Sequence, residues 1–214
     1  MIFTSKFHKV GNVQLPRFSG TRVMMLPIII GERKSMPDFV SHYSWTAWRL
    51  AQMADVEHLG KVGYLTIDEK PVEEWKTHRR AGMHVDGGMN AAWGGSQRPW
   101  ASATGMLTVS SHHGCVAWAQ DFDGEIGEEG SCEHLRNQLS SPGTLFGAGE
   151  VYWCDGLCVH ESIPQPIPVK RQFVRLSLPS TAPWYEGYTE NPLGVQPTGP
   201  ILPRRIYMDD GVAA

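Results

Sequence analysis

Arg171-Gln172-Phe173-Val174-Arg175-Leu176-Ser177-Leu178 alternates in a way that decides the fold. In an extended chain successive side chains point to opposite faces, so Arg171, Phe173, Arg175 and Ser177 share one side. Gln172, Val174, Leu176 and Leu178 share the other. Both arginines can then point into a β-sheet interior, which tolerates guanidinium groups only beside anionic partners. A planar, forked cation on a rigid strand matches a carboxylate.

Working outward, 150–155 and 157–162 read as strands around Asp155-Gly156, a two-residue hairpin signal. A Pro-rich connection, 164–168, leads from there to the 171–178 strand. Two further strands, 104–111 and 115–122, are expected to join tightly through His112-His113-Gly114, with both histidines exposed in the turn. An acidic loop after 121 is expected to be solvated. Residues 21–30 and 63–68 add strand candidates, and 71–76 a helical turn. Between them, Phe39, Tyr43, Ala47, Leu50 and Ala54 recur at three- and four-residue steps. That spacing predicts one amphipathic helix of about 17 residues, with Ser35 as a possible N-cap. Past Pro179 the prolines at 183, 192, 197, 200 and 203 predict an extended tail with little regular structure. One helix plus about eight short strands indicates a mainly β protein with an N-terminal helix. The expected architecture is a double-stranded β-helix, a jelly-roll, cupin-like barrel. The expectation is a single domain over 1–214, its barrel core near 61–178 and its tail over 179–214.

Bulk properties exclude several classes. The chain has 214 residues, 41% hydrophobic and 19% charged, with net charge −3, which suits one domain with a sizeable core. No lysine or arginine block supports a nucleic-acid or membrane-surface role. The longest apolar candidate, 23–30, suits a buried strand and is too short to cross a bilayer. Residues 1–10 are polar and lack the apolar segment of a secretory signal, so a cytoplasmic location is expected. Cys115, Cys132, Cys154 and Cys158 form neither a CxxC pair nor zinc-finger spacing. They are expected to be reduced and mostly buried, although a link between Cys154 and Cys158 is geometrically conceivable.

Chemistry concentrates in Arg79-Arg80-Ala81-Gly82-Met83-His84-Val85-Asp86-Gly87-Gly88. As a strand, this stretch puts His84 and Asp86 on one face. His160 follows 76 residues later, on the late strand expected over 157–162. Two imidazoles and one carboxylate on a β scaffold make the facial triad of non-haem Fe(II) oxygenases, with three positions left open on the metal. Gly87 and Gly88 would leave clearance for a substrate. The plainer alternative is a hydrogen-bonded core histidine beside a turn aspartate.

With HVD at 84–86, His160 downstream and basic residues beyond it, the chain resembles the 2-oxoglutarate-dependent oxygenase superfamily. The resemblance covers roughly 61–178. It implies Fe(II) held by His84, Asp86 and His160, with 2-oxoglutarate and O2 as co-substrates. It also implies an arginine on the last core strand for the distal carboxylate of 2-oxoglutarate. Arg171 lies 11 residues past His160 and Arg175 lies 15 past it. Both spacings occur together in taurine-dioxygenase-like members, where the first holds the co-substrate. Arg175-Leu176-Ser177 also resembles the RxS motif of the penicillin-synthase and plant-oxygenase branch, so the two analogies disagree. Arg171 is the preferred residue, with Arg175 assisting or binding an acidic substrate group.

The implied reaction oxidises a C–H bond of a small molecule or peptidyl side chain, as 2-oxoglutarate gives succinate and CO2. An intact Asp86 disfavours halogenation, since related halogenases replace the carboxylate. Trp93, Arg98 and Trp100 follow the HVD stretch and are candidates for the substrate border. Thr108 and Ser110 could add hydroxyls to the co-substrate site. His78, Arg79 and Arg80 would face the substrate mouth or form a solvated patch. Expected partners are that substrate alone, with no nucleic acid and no membrane, in a monomer or homodimer. The alternatives are a cupin-type metalloenzyme that does not use 2-oxoglutarate, and a non-catalytic jelly-roll binding module.

Overall fold

The computed structural model describes residues 2–86, 105–128, 130–179, 184–199 and 201–202. It is mainly β, with 37% strand and 15% helix. In chain order the principal strands are β1 (Ile2–Thr4), β2 (Phe7–Asn12), β3 (Arg22–Ile29), β4 (Val62–Val72), β5 (Met106–Ser110) and β6 (Cys115–Trp118). They continue with β7 (Asp121–Asp123), β8 (Thr144–Leu145), β9 (Glu150–Cys154), β10 (Val159–Ser162) and β11 (Val169–Ser177). A six-stranded sheet runs in the order β2-β9-β5-β11-β4-β3, and a three-stranded sheet in the order β10-β6-β8. The pairings within both are antiparallel.

β11 sits inside the large sheet and pairs with β4 and β5, so its alternation is imposed on its neighbours. Val174 lies between Ile67 and Val109, and Leu176 between Leu65 and Leu107. All six are buried in one core with Tyr43, Ala47 and Leu50. Each large apolar side chain taken out of water there contributes roughly 1.5–3 kcal/mol. The opposite face of β11 carries Arg171, Phe173 and Arg175 and looks toward the small sheet.

The helical region differs from the expected single helix. A 3-10 stretch, Asp38–Tyr43, runs into α1 (Ser44–Ala51). A 3-10 turn has three residues instead of 3.6, so the buried stripe steps back from Tyr43 to Val40 rather than to Phe39. Val40 is accordingly fully buried, while Phe39 is 50% exposed. Ser35 caps no helix; its hydroxyl donates to Glu32 O at 2.7 Å and accepts from Ile29 N at 2.9 Å, closing the end of β3. The buried Glu69 carboxylate ties this region to the sheet. It accepts from the Tyr43 hydroxyl, from Gln172 Nε2 at 2.7 Å, and from Ser19 N and Thr21 N at 2.7 and 2.8 Å.

Two expected hairpins are instead crossings between sheets. β9 pairs with β2 and β5, whereas β10 pairs with β6. Asp155-Gly156 therefore reverses nothing within one sheet and carries the chain from the large sheet to the small one. Lys6 takes Asp155 out of a hairpin: Asp155 N donates to Lys6 O at 3.1 Å, and Lys6 N to Asp155 Oδ1 at 3.4 Å. Residues 111–114 make the same crossing from β5 to β6. The strand expected over 115–122 breaks into β6 and β7, and β7 pairs with β1. Residues 71 and 72 extend β4 instead of starting a helical turn. The described tail lies on β3 and β4, where Asn191 Nδ2 donates to Pro27 O and Ser35 O at 2.8 Å each. Among the described residues, no helix is long and apolar enough to cross a membrane.

The phase of the 38–51 region is testable by thermal melts followed by circular dichroism. Leu50→Ala is expected to cost about 2–5 kcal/mol. Phe39→Ala should stay within about 0.5 kcal/mol of the parent. Equal losses at both positions would mean that a continuous α-helix buries Phe39.

Candidate metal centre

Main-chain pairing brings the histidines together. Residues 82–85 lie beside β10 and meet it at one antiparallel bridge, with His84 N donating to His160 O at 2.9 Å and His160 N to His84 O at 3.0 Å. The other edge of the segment is held by Val85 N to Gly130 O at 2.9 Å and Cys132 N to Met83 O at 2.8 Å. The expected strand over 79–88 thus shrinks to a single bridged residue, among the residues described. Gly82 adopts φ +77°, a left-handed turn that breaks an extended run. The Glu133 carboxylate then takes Met83 N at 2.9 Å, and it is itself held by Arg136, which also reaches Glu161 beside His160.

Both imidazoles are oriented alike. His84 Nδ1 lies 2.7 Å from Gly82 O, and His160 Nδ1 lies 2.9 Å from Cys158 O. A carbonyl only accepts, so each Nδ1 carries the proton and each Nε2 presents a lone pair. The rings stand 4.4 Å apart, and Asp86 Oδ2 lies 3.9 Å from His160 Nε2. Ligand atoms of His84, Asp86 and His160 all fall within 4.8 Å of one another, the one such group among the described residues. His160 and Asp86 each keep 21% of their side-chain surface, enough for a ligand to reach them.

The electrostatics suit a cation. Burial, and then His160 alongside, push the His84 imidazole down to about 3, so it is neutral at physiological pH. Burial acts to raise the Asp86 carboxyl, but Arg175 foremost, with His160 and His84, holds it well below the usual carboxylate range. A neutral His84 imidazole, a second imidazole whose Nε2 is turned to the same space, and one ionised carboxylate are a donor set for a divalent transition metal. His84, Asp86 and His160 could together hold such an ion.

Arg175 and Arg171 differ in what they meet. Arg175 Nη1 lies 2.7 Å from Asp86 Oδ2. Arg171 is four residues away on the same strand face, about 13 Å along the backbone. It is 2% exposed, and its Nε and Nη1 have no hydrogen-bond partner. Burial lowers it to about 10, which still leaves it cationic at neutral pH. The pocket between the sheets reaches from Asp86 and His160 to Arg171, with Met106, Phe146 and Phe173 among its apolar walls. Its acids are engaged elsewhere. Asp86 faces Arg175, Glu150 meets Lys9 and the Tyr152 hydroxyl at 2.6 Å each, and Asp155 meets Lys6 N. Arg171 is therefore a buried cation facing a cavity without an anion.

Thr108 and Ser110 do line this pocket, although Ser110 Oγ already donates to Gln172 O at 2.9 Å. Ser177 is buried but lies away from the pocket wall. Trp93, Arg98 and Trp100, like Gly87 and Gly88, lie outside the described residues. Arg79 is tied to β4, its Nη1 2.8 Å from Asp68 Oδ2 and its guanidinium over the Phe173 ring. His78 is buried beside the same carboxylate. The sequence pattern missed His112, expected in an exposed turn but half-buried in the pocket wall because 111–114 crosses between sheets. It also missed Gly114, where any Cβ would overlap the Arg171 guanidinium. Cys115, Cys154 and Cys158 line the pocket too, and all four cysteines are free thiols.

No family profile matches this chain, and no curated protein or solved structure matches it.

Asp155 offers a pH test of the pocket wall. Burial raises its carboxyl to about 6, so the folded state prefers it protonated. A raised value contributes stability below the ordinary carboxylate range and loses it as pH rises through 6. Asp155→Asn stays neutral throughout. In urea melts its stability relative to the parent should climb between pH 4 and pH 6 and level off above. A difference that does not vary with pH would mean that Asp155 ionises normally in the fold.

Proposed function

We propose that this protein is an Fe(II)/2-oxoglutarate-dependent dioxygenase built on a jelly-roll barrel, acting on a small molecule or a peptidyl side chain. The observation that carries the proposal is the His84–Asp86–His160 donor set, whose Asp86 and His160 line the same pocket as an unpartnered, buried Arg171. A bidentate acid needs both ends of that arrangement. A cupin-type enzyme without 2-oxoglutarate, or a binding module, gives Arg171 a role only where its own ligand carries an acid group.

In this proposal His84, Asp86 and His160 hold Fe(II), and Arg171 holds the distal carboxylate of 2-oxoglutarate. Iron with 2-oxoglutarate and O2 supplies the oxidation of a C–H bond, with succinate and CO2 as co-products. Arg175 keeps the Asp86 carboxylate ionised and anchors it through Oδ2, the oxygen that also lies 3.9 Å from His160 Nε2. Gly82 O and Cys158 O fix the two imidazoles in the ligating tautomer. Met106, Phe146 and Phe173 exclude water, which strengthens every charge interaction inside.

Anaerobic addition of Fe(II) and 2-oxoglutarate to the apo-protein should produce the visible charge-transfer band of the chelate. His84→Ala should abolish it, and Arg171→Gln should raise the 2-oxoglutarate concentration needed by at least tenfold. Removing the iron with a chelator should erase the band reversibly. Absence of any band in the parent protein would sink the proposal.

A further inference from the structure

We propose that His112 is the second arm of a carboxylate cradle whose first arm is Arg171. The inference rests on the assignment of an anion to Arg171, and it names a further residue for that anion. Arg171 is buried with two N–H-bearing nitrogens unpartnered, and every acid lining the pocket is held by another group. Its ligand is therefore an incoming anion. A carboxylate offers about four lone-pair positions, more than one guanidinium edge fills.

The structure brings one further ring to that end of the cavity. His112 lies two residues before Gly114, whose backbone the Arg171 guanidinium packs against. Its Nδ1 meets Ser111 Oγ at 2.9 Å, leaving Nε2 as the ring atom for a ligand. His160 is the other histidine lining the pocket, and it lies at the metal end, paired with His84. Ser110 cannot donate, since its hydroxyl proton goes to Gln172 O. Thr108 is level with Arg175, not Arg171, in the β5–β11 register.

This arrangement couples anion binding to a proton. Burial, then Arg171 and His113, hold His112 below the ordinary histidine range, so the empty cradle keeps it neutral. A carboxylate between His112 and Arg171 offsets the arginine charge and draws a proton onto the ring. Arg171 from β11 and His113 from the same turn act on it, and Cys115 from β6, Glu150 from β9 and Asp155 just beyond β9 share its pocket. Glu150 is held down to about 2, by Lys9 first, and burial pushes the Cys115 thiol well up, so neither titrates near neutrality. His113 is exposed and faces Phe146 O through Nδ1, which makes it the control.

The probe is glutarate, a dicarboxylate with no keto group, titrated calorimetrically into metal-free protein with EDTA present. The parent should bind it at least fivefold more tightly at pH 6.5 than at pH 8.5. H112Q should reduce that ratio to below twofold, and H113Q should keep it. R171Q should weaken binding at least tenfold at both pH values. No glutarate binding by the parent, a parental pH ratio in H112Q, or its loss in H113Q alone, would overturn the proposal. Matching melting temperatures of the parent and H112Q exclude unfolding as the cause. Because no metal is present, the cradle stands or falls separately from the iron chemistry. Glutarate binding with the expected ratios, but no charge-transfer band, would leave the cradle in place and remove the dioxygenase.

Discussion

The reciprocal main-chain bridge between His84 and His160 is the constraint on which the site depends. Those residues are separated by 76 positions in the chain, and neither can place a metal alone. Two hydrogen bonds set their backbones side by side, and carbonyls two residues before each one fix the rings. Glu133 and the 130–132 segment brace the far edge of the His84 segment, so the bridge is held from both sides. Orientation here comes from backbone groups, which cannot swing away as side chains can.

A second constraint is the distribution of charge on the inward face of β11. A buried guanidinium must be answered by an anion, and the two arginines are answered differently. Arg175 takes Asp86, which also keeps that carboxylate ionised. Among the described residues Arg171 meets no acid, while the glycine at 114 leaves room for its head group at the cavity wall. One arginine therefore serves the candidate ligand set, and the other faces open space. The choice between the two analogies for this strand rests on that asymmetry, and it favours Arg171 as the site of an incoming carboxylate.

Much of the strand content was legible because period-2 alternation is a local property. The faces of 171–178 follow from that period, the strands near 22–29, 62–68, 106–110 and 150–154 from local runs of apolar and β-branched residues, and the buried Tyr43, Ala47 and Leu50 from helical steps. Pairing was less legible. Asp155-Gly156 signals a reversal in direction, and it says nothing about which sheet receives the next strand. Lys6, about 150 residues earlier, decides that by bonding Asp155 from β2's end of the sheet. The same limit put His112 in solvent on paper and in the pocket wall in space. The helix failed in phase: choosing 3-10 over α is worth little energy locally, and burial of Val40 settles it.

The sequence by itself determined the donor chemistry: a His-x-Asp pair, a distant histidine, and two arginines on one face of a strand. Side-chain identity and strand period suffice for that, since both are carried by a few neighbouring residues. Only the tertiary structure decided that the three donors converge, that Arg175 is spent on Asp86, and that Arg171 is left facing a cavity with His112 beside it. Those facts depend on contacts between segments far apart in the chain, where main-chain hydrogen bonds and desolvation of charge select one arrangement. Local propensity does not reach across that distance.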